Sequence, residues 1–319
     1  MSESRTSPRI GLALGSGSAR GWAHLGVLHA LEERGIRPHV LTGASVGALV
    51  AAAYASGQLA ALEKWVRTLT RVDVWRLLDT TFRGGGVMRG NRLMHAIGEQ
   101  ISDRQIDDLP LRFAAVAADL NTGEEIWLQR GSMLAAVRAS SGMPGLFTPM
   151  WHQDRWMIDG GVVNPVPVTL CRALGADYVI AINLNLPVST RWAAKQRFAP
   201  VIEQPALPQH EAGSAEAGWA FMDKWNELME GLVDTLRPER SNEPGLFEVM
   251  AASIHIMQDH IARSRMAGDP PNLTISPDLG SFQLMDFHRA AEAIEAGRRA
   301  VESVEDQLSA LMPEPVSGS

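Results

Sequence analysis

The chain has 319 residues, 45% of them apolar and 20% charged, a globular profile long enough for one large α/β domain with appendages. Its net charge of −7, with basic residues scattered among acidic ones and no run of five like charges, excludes the concentrated basic surface that a nucleic-acid partner requires. The single cysteine, Cys171, excludes an intrachain disulfide and points to a reducing compartment.

In chain order, MSESRTSPRI lacks the apolar core of a signal peptide. Ile10 to Leu14 reads as a short buried strand, followed by the glycine-rich GSGSARG. A helix follows, with Leu25, Leu28 and Leu31 at helical spacing and Gly35 at its end. His39 to Thr42 is a second brief strand leading into Gly43-Ala-Ser45-Val-Gly47, and the next helix runs to about Ser56 before Gly57. This alternation predicts a mainly parallel sheet with helices on both faces.

Further strands are predicted at Arg112–Ala118, Glu124–Leu128, Arg155–Ile158, Tyr178–Leu184 and Leu273–Ser276. Cys171 sits in VTLCRALGAD, a helical pattern that gives it the role of a small buried apolar side chain. From Pro187 to about Gly213 the composition turns to Pro, Gln, Ala and Gly without periodicity, which reads as a long loop or partly disordered insertion. Helical patterns follow at 216–236 and 244–266. A last helix is predicted from an Asp286 N-cap to about Leu311, burying Phe287, Ile294, Val301, Val304 and Leu308. The expected organisation is a core at 1–186, an insertion at 187–213 and a mainly helical part at 214–319. No stretch reaches the roughly 18 apolar residues of a membrane span. The expectation is therefore a cytoplasmic protein, with membrane contact at most transient and peripheral at the inner surface.

Gly43, Ser45 and Gly47 match G-x-S-x-G. A nucleophile on a sharp strand-to-helix turn has strained backbone angles, and its neighbours two residues away must be small. The following helix also aims free N–H groups at an anion formed on the serine. The bare pattern arises by chance about 0.2 times in such a composition, so the strand before it and the helix after it carry the signal. The ordinary alternative is a tight turn.

Gly15-Ser-Gly17-Ser18-Ala-Arg20-Gly21 has two functional readings. As a dinucleotide loop it fails twice: position 20 is Arg20 where G-x-G-x-x-G needs glycine, and the second strand ends in Leu41-Thr42 without a ribose-binding acid. A Walker loop is absent. As an oxyanion hole, its N–H groups face the serine of the neighbouring strand, and removing one such donor typically costs about 10²- to 10³-fold in rate. A base is also needed. The late histidines His210, His255, His260 and His288 lie in the insertion or inside helical patterns, where packed or solvated histidines are the ordinary expectation. Asp159, in Trp156-Met-Ile-Asp159-Gly160-Gly161, ends an apolar strand and is followed by two glycines that permit close approach. Read alone, an ordinary Asp-Gly turn is the stronger reading.

Taken together, GSGSARGWAHLGVL, GASVG, and DGG followed by Asn164-Pro165-Val166-Pro167 resemble the patatin-like phospholipases. They are most similar to the bacterial branch related to the lysophospholipase domain of neuropathy target esterase. Ala118-Asp119-Leu-Asn-Thr-Gly123 and Ala139-Ser-Ser-Gly-Met-Pro144-Gly-Leu-Phe147 are similar too. The resemblance covers about Arg9 to Leu186. It implies a three-layer patatin-like fold and a Ser–Asp dyad without catalytic histidine, with Ser45 as nucleophile and Asp159 as general base. It also implies oxyanion donors from the glycine-rich loop, matching Gly17 and Ser18 here. The usual glycine triplet reads Ser16-Gly17-Ser18, and serine tolerates positive φ poorly. Arg20 is expected to hold the loop or to attract an anionic headgroup, and His24 to pack.

The resulting expectation is a serine esterase acting on acyl esters of (lyso)phospholipids or related lipids through an acyl-enzyme. No cofactor and no metal are expected, since Cys171 and the histidines form no ligand spacing. Trp22, Met143, Leu146 and Phe147 are candidates for an acyl groove, the ordinary alternative being that all four side chains pack in the core. The rival readings are a nucleotide-binding oxidoreductase and a non-catalytic protein of the same fold that binds an acyl ligand or a partner.

Overall fold

The computed structural model describes residues 8–77, 79, 86–185 and 246–310. The insertion expected at 187–213, the helical pattern at 216–236 and His210 lie outside them.

Five strands build the parallel part of the main sheet: β1 (Ile10–Leu14), β2 (Val40–Ala44), β4 (Arg112–Asp119), β9 (Tyr178–Ile182) and β10 (Leu273–Ile275). Their order is β10-β9-β1-β2-β4, each neighbouring pair parallel. Three antiparallel strands extend it: β5 (Glu125–Leu128), β7 (Met150–His152) and β8 (Arg155–Asp159), with β5 and β8 on β4 and β7 on β8. A separate parallel pair joins β3 (Gly86–Met88) to β6 (Gly145–Phe147).

The central strands are buried on both faces, and their alternation sorts residues by size. Leu12, Leu14, Leu41, Ile180 and Ile182 point into the larger core beneath α1 (Ala23–Glu33) and α2 (Val46–Ala55). Ala13, Val40, Val179 and Ala181 face a smaller core under α7 (Val168–Ala173), which includes Cys171 and Ala262. On β1, β2 and β9, leucine and isoleucine thus lie on one face and alanine and valine on the other, giving three layers around a sheet that neither face leaves wet. Cys171 is fully buried, and burial pushes its thiol up to about 12.

The remaining described helices are α3 (Leu59–Val66), α4 (Arg71–Leu77), α5 (Asn91–Gln100), α6 (Met133–Ser140), α8 (Leu246–Gly268), α9 (Ala290–Glu302) and α10 (Glu305–Ser309). The predicted final helix is thus divided. A 3-10 turn over Phe287–Arg289 precedes α9, and the helix is interrupted at 303–304 before α10. Asp286 does not cap it through its side chain. Its carboxylate accepts from Gln283 N–H and pairs with Arg289 instead. Ile294, Val301 and Leu308 are buried as expected, whereas Phe287 and Val304 are half-buried. Among the described residues, no helix is long and apolar enough to cross a membrane.

Candidate active site

The placement of Ser45 and Asp159 follows from the register of one strand. Ala44, the last residue of β2, pairs with Val116 of β4, and Asp159, the last residue of β8, pairs with Ala117. Ala115 to Ala118 also pair with β5. Since a strand residue has only two flanks, β5 takes one flank of β4 and leaves β2 and β8 to share the other. β2 runs parallel to β4 and β8 antiparallel, so the two strands arrive end to end at adjacent residues. Two groups far apart in sequence thereby meet at a single peptide of β4.

Ser45 occupies the sharp turn between β2 and α2 with φ 56° and ψ −127°. A non-glycine residue held there costs on the order of 1–3 kcal/mol, and its surroundings fix it. The Ser45 N–H donates to Ser140 Oγ at 2.9 Å, and the Ser140 hydroxyl donates to Val116 O at 2.6 Å. Ser45 O accepts from Ala48 N–H and Leu49 N–H in the first turn of α2. A Cβ on Gly43 would collide with the backbone of Gly47, and one on Gly47 with the carbonyls of Leu14 and Gly15. The small flanking residues are a steric requirement of this turn.

Asp159 is 0% exposed. Its Oδ1 accepts from Gly161 N–H at 2.7 Å, and Oδ2 has no hydrogen-bond partner among the described residues. Burial pushes the carboxyl up to about 6, and the Ser45 hydroxyl and Gly161 N–H only partly offset that. Ser45 therefore lies near enough to act on the charge of Asp159, although no formed hydrogen bond joins them. A buried carboxyl with one unpaired oxygen and an affinity for protons shifted toward neutrality has the properties of a general base.

The glycine-rich loop forms the facing wall. Gly15 N–H donates to Ile182 O and Ser16 N–H to Pro165 O. Ala19 N–H donates to Leu284 O and Arg20 N–H to Gly17 O. Among the described residues, Gly17 N–H and Ser18 N–H have no protein acceptor. Gly17 has an extended φ of 170°, and the left-handed residue is Ser18, at φ 52°. The Ser18 hydroxyl donates to Leu284 O at 2.7 Å, a long-range hydrogen bond that helps to offset the cost of a conformation serine otherwise avoids.

Arg20 is 3% exposed and reaches back along the loop. Its Nε donates to Gly17 O at 3.2 Å and Nη1 to Leu184 O at 3.1 Å. His24 does more than pack. Its Nε2 lies 2.8 Å from Gly15 O and donates to it, and complete burial lowers its pKa to about 4, so the ring stays neutral with Nδ1 unpartnered.

The cleft above Ser45 is narrow, with about 10 Å³ of interior space, room for about one water molecule, and is lined on α8 by Ile254, His255 and Gln258 and elsewhere by Met143 and Leu284. Of the four candidate groove residues only Met143 lines it. Trp22 belongs to the core, where its Nε1 donates to Phe287 O and its ring meets Phe287 edge to face. Leu146 and Phe147 are half-buried away from the cleft. Among the described residues, no group of three His, Cys, Asp or Glu side chains could hold a metal ion.

Three contributors were not expected from the sequence. Ser140 was visible only as part of a motif without a role. His255 and Gln258 look in sequence like any polar residues of an amphipathic helix, as does the exposed His260. In the structure His255 is 7% and Gln258 4% exposed, and Ser16 Oγ donates to Gln258 Oε1 at 3.4 Å. The only available signal was their shared face with Ile254 and Ala262 on α8. His288, in contrast, accepts from Arg71 at a distance from the cleft.

Comparison with known proteins agrees with this architecture. The family model "Patatin-like phospholipase" matches residues 12–172. Proteins of Mycobacterium bovis and Mycobacterium tuberculosis, each named an uncharacterized NTE family protein, are 33% identical over 92% of this chain and 90% of their own length. A protein of Pyricularia oryzae named lysophospholipase NTE1 is 25% identical over 90% of this chain, which spans 18% of that longer protein. In structure, VipD from Legionella pneumophila superposes with a TM-score of 0.55 at 15% identity, covering 95% of this chain and 67% of VipD. That last likeness concerns the fold alone. The match over half the chain and the near full-length similarity to NTE family proteins establish that this chain belongs to the patatin-like phospholipase family.

Proposed function

We propose that the protein is a serine hydrolase that cleaves acyl esters of lysophospholipids or related lipids through Ser45 and Asp159. The observation that carries the reading is the meeting of β2 and β8 on one flank of β4, which sets the Ser45 turn beside a buried carboxyl with an unpaired oxygen.

Ser45 Oγ attacks the ester carbonyl while its proton passes to Asp159. The developing oxyanion sits against Gly17 N–H and Ser18 N–H, donors with no other partner among the described residues, so no bond is broken to receive it. Collapse of the tetrahedral species breaks the ester bond. The alcohol leaves with the proton held by Asp159, and the acyl group stays on Ser45. Water then attacks the acyl carbonyl, gives its proton to Asp159, and the second collapse releases the fatty acid and restores the serine hydroxyl. Arg20 and His24 act on the loop and not on the reacting atoms.

The name lysophospholipase of a relative, together with the apolar Met143, Ile254 and Leu284 around the cleft, supports a lipid acyl chain. Each CH₂ buried there should contribute up to about 0.8 kcal/mol. The test is kcat/KM for esters of two to sixteen carbons, with fatty-acid release from lysophospholipid below its micellar concentration. The reading predicts a rise with chain length to a plateau and measurable release. A steady fall beyond four carbons with no release would make the protein a small-ester hydrolase. Loss of all turnover, with specific acyl-ligand binding retained, would make it a binding protein of the same fold.

A further inference from the structure

We propose that His255 of α8 is a positioning residue for the oxyanion loop, acting through Arg20 on the peptide that joins Gly17 to Ser18; this rests on the hydrolase reading above.

The Gly17 carbonyl and the Ser18 N–H belong to one planar peptide unit. Whatever fixes the carbonyl oxygen fixes the direction of the N–H at its opposite end. Arg20 Nε donates to that oxygen at 3.2 Å. A cationic donor on the carbonyl also draws charge through the amide, which makes the N–H a stronger donor. The arginine side chain is long and rotamer-rich, and holding its guanidinium in one orientation opposes that conformational freedom.

Among the contacts that set that orientation, one is to Leu184 O. Another is to His255, with Nη1 2.6 Å from Nε2 and Nη2 2.8 Å from Nδ1. A neutral imidazole has a lone pair on one nitrogen only, so at most one of these two contacts is a hydrogen bond from Arg20. His255 comes from a helix beginning at Leu246, beyond the residues matched by the family model. Nothing in the glycine-rich loop itself supplies this contact. The ring nitrogens face the guanidinium, which separates His255 from the role of base for Ser45.

The test uses the full chain with His255→Phe and His255→Gln. Phenylalanine keeps a buried ring but has no acceptor, and glutamine restores an acceptor. With a soluble short-chain ester, His255→Phe should lose about 10- to 10²-fold in kcat, the range expected when an oxyanion donor is misplaced but not removed. KM should stay within about twofold, and the rate of phosphonylation by a fluorophosphonate should fall by the same factor as kcat. His255→Gln should recover most of that loss. A wild-type kcat in His255→Phe would overturn the proposal, as would equal losses in both variants with a matching rise in KM. Should His255→Phe not fold, His255→Ala with added imidazole decides: a saturable rise in kcat supports the role, and no rise overturns it. A wild-type enzyme inert toward every ester and the probe would sink the hydrolase reading and this proposal with it, whereas active wild type with indifferent His255 variants sinks only the latter.

Discussion

The two walls of the cleft are built by different means. On the wall of Ser45 and Asp159, backbone pairing does the positioning: Val116 and Ala117 of β4 receive the ends of β2 and β8. On the facing wall, the loop of Gly17 and Ser18 is held by carbonyls and side chains from scattered segments, namely Pro165, Leu184, Leu284 and His255. A buried strand cannot slip by one residue without turning its whole side-chain set to the other face. A loop held by separate contacts can be loosened one contact at a time. Substitutions on the first wall should therefore act through the reacting groups in nearly all-or-none fashion, and those on the second in graded steps.

That contrast can be broken or sharpened by substitution. Ser45→Ala should remove all measurable turnover while leaving the far-ultraviolet spectrum and thermal midpoint near wild type, because alanine keeps the small side chain of the turn. Asp159→Asn should lower kcat by about 10²- to 10⁴-fold, the usual contribution of a general base. In wild type, kcat/KM should climb with pH through about 6, as the buried carboxyl loses its proton, and this limb should vanish in Asp159→Asn. Ser140→Ala leaves the buried Ser45 N–H and Val116 O without their shared partner. It should destabilise the fold by about 1–3 kcal/mol in urea unfolding and slow turnover by roughly tenfold.

Stability against pH also separates the two walls, with opposite signs. Asp159 has its pKa raised from 3.8 to about 6 in the folded state. Its contribution is fully present below pH 3.8 and is lost as pH rises through 6. His24 has its pKa lowered from 6.5 to about 4. Its contribution is fully present above 6.5 and is lost as pH falls toward 4. Urea unfolding should therefore show Asp159→Asn gaining on wild type between pH 4 and 6 and holding a constant lead above that. A lead that shrinks as pH rises would contradict the assigned burial of the carboxyl.

The wall fixed by backbone was the more legible in sequence. An apolar strand, a glycine-flanked serine and an acid at a strand end each leave a local trace, and the elements they imply lie where the periodicity put them. What the sequence did not reveal was why Ser45 and Asp159 meet, because that depends on β5 taking the other flank of β4. The second wall was legible only as a glycine-rich loop. Ser18 was the expected weak point for its φ, and the structure supplies the compensation from Leu284, in a segment with no motif of its own. The sequence left packing and other roles open for His255 and Trp22 for one reason: burial of a polar or aromatic side chain depends on which helix face meets the core, and a single sequence gives that face only where periodicity is strong.

The most direct test of the account is site-mapped labelling by a fluorophosphonate followed across pH. The account predicts a single phosphonylated residue, Ser45, with a labelling rate that rises through about pH 6 in wild type, is pH-independent and slow in Asp159→Asn, and is zero in Ser45→Ala. Label on any other serine, or a wild-type rate unchanged by Asp159→Asn, would contradict it.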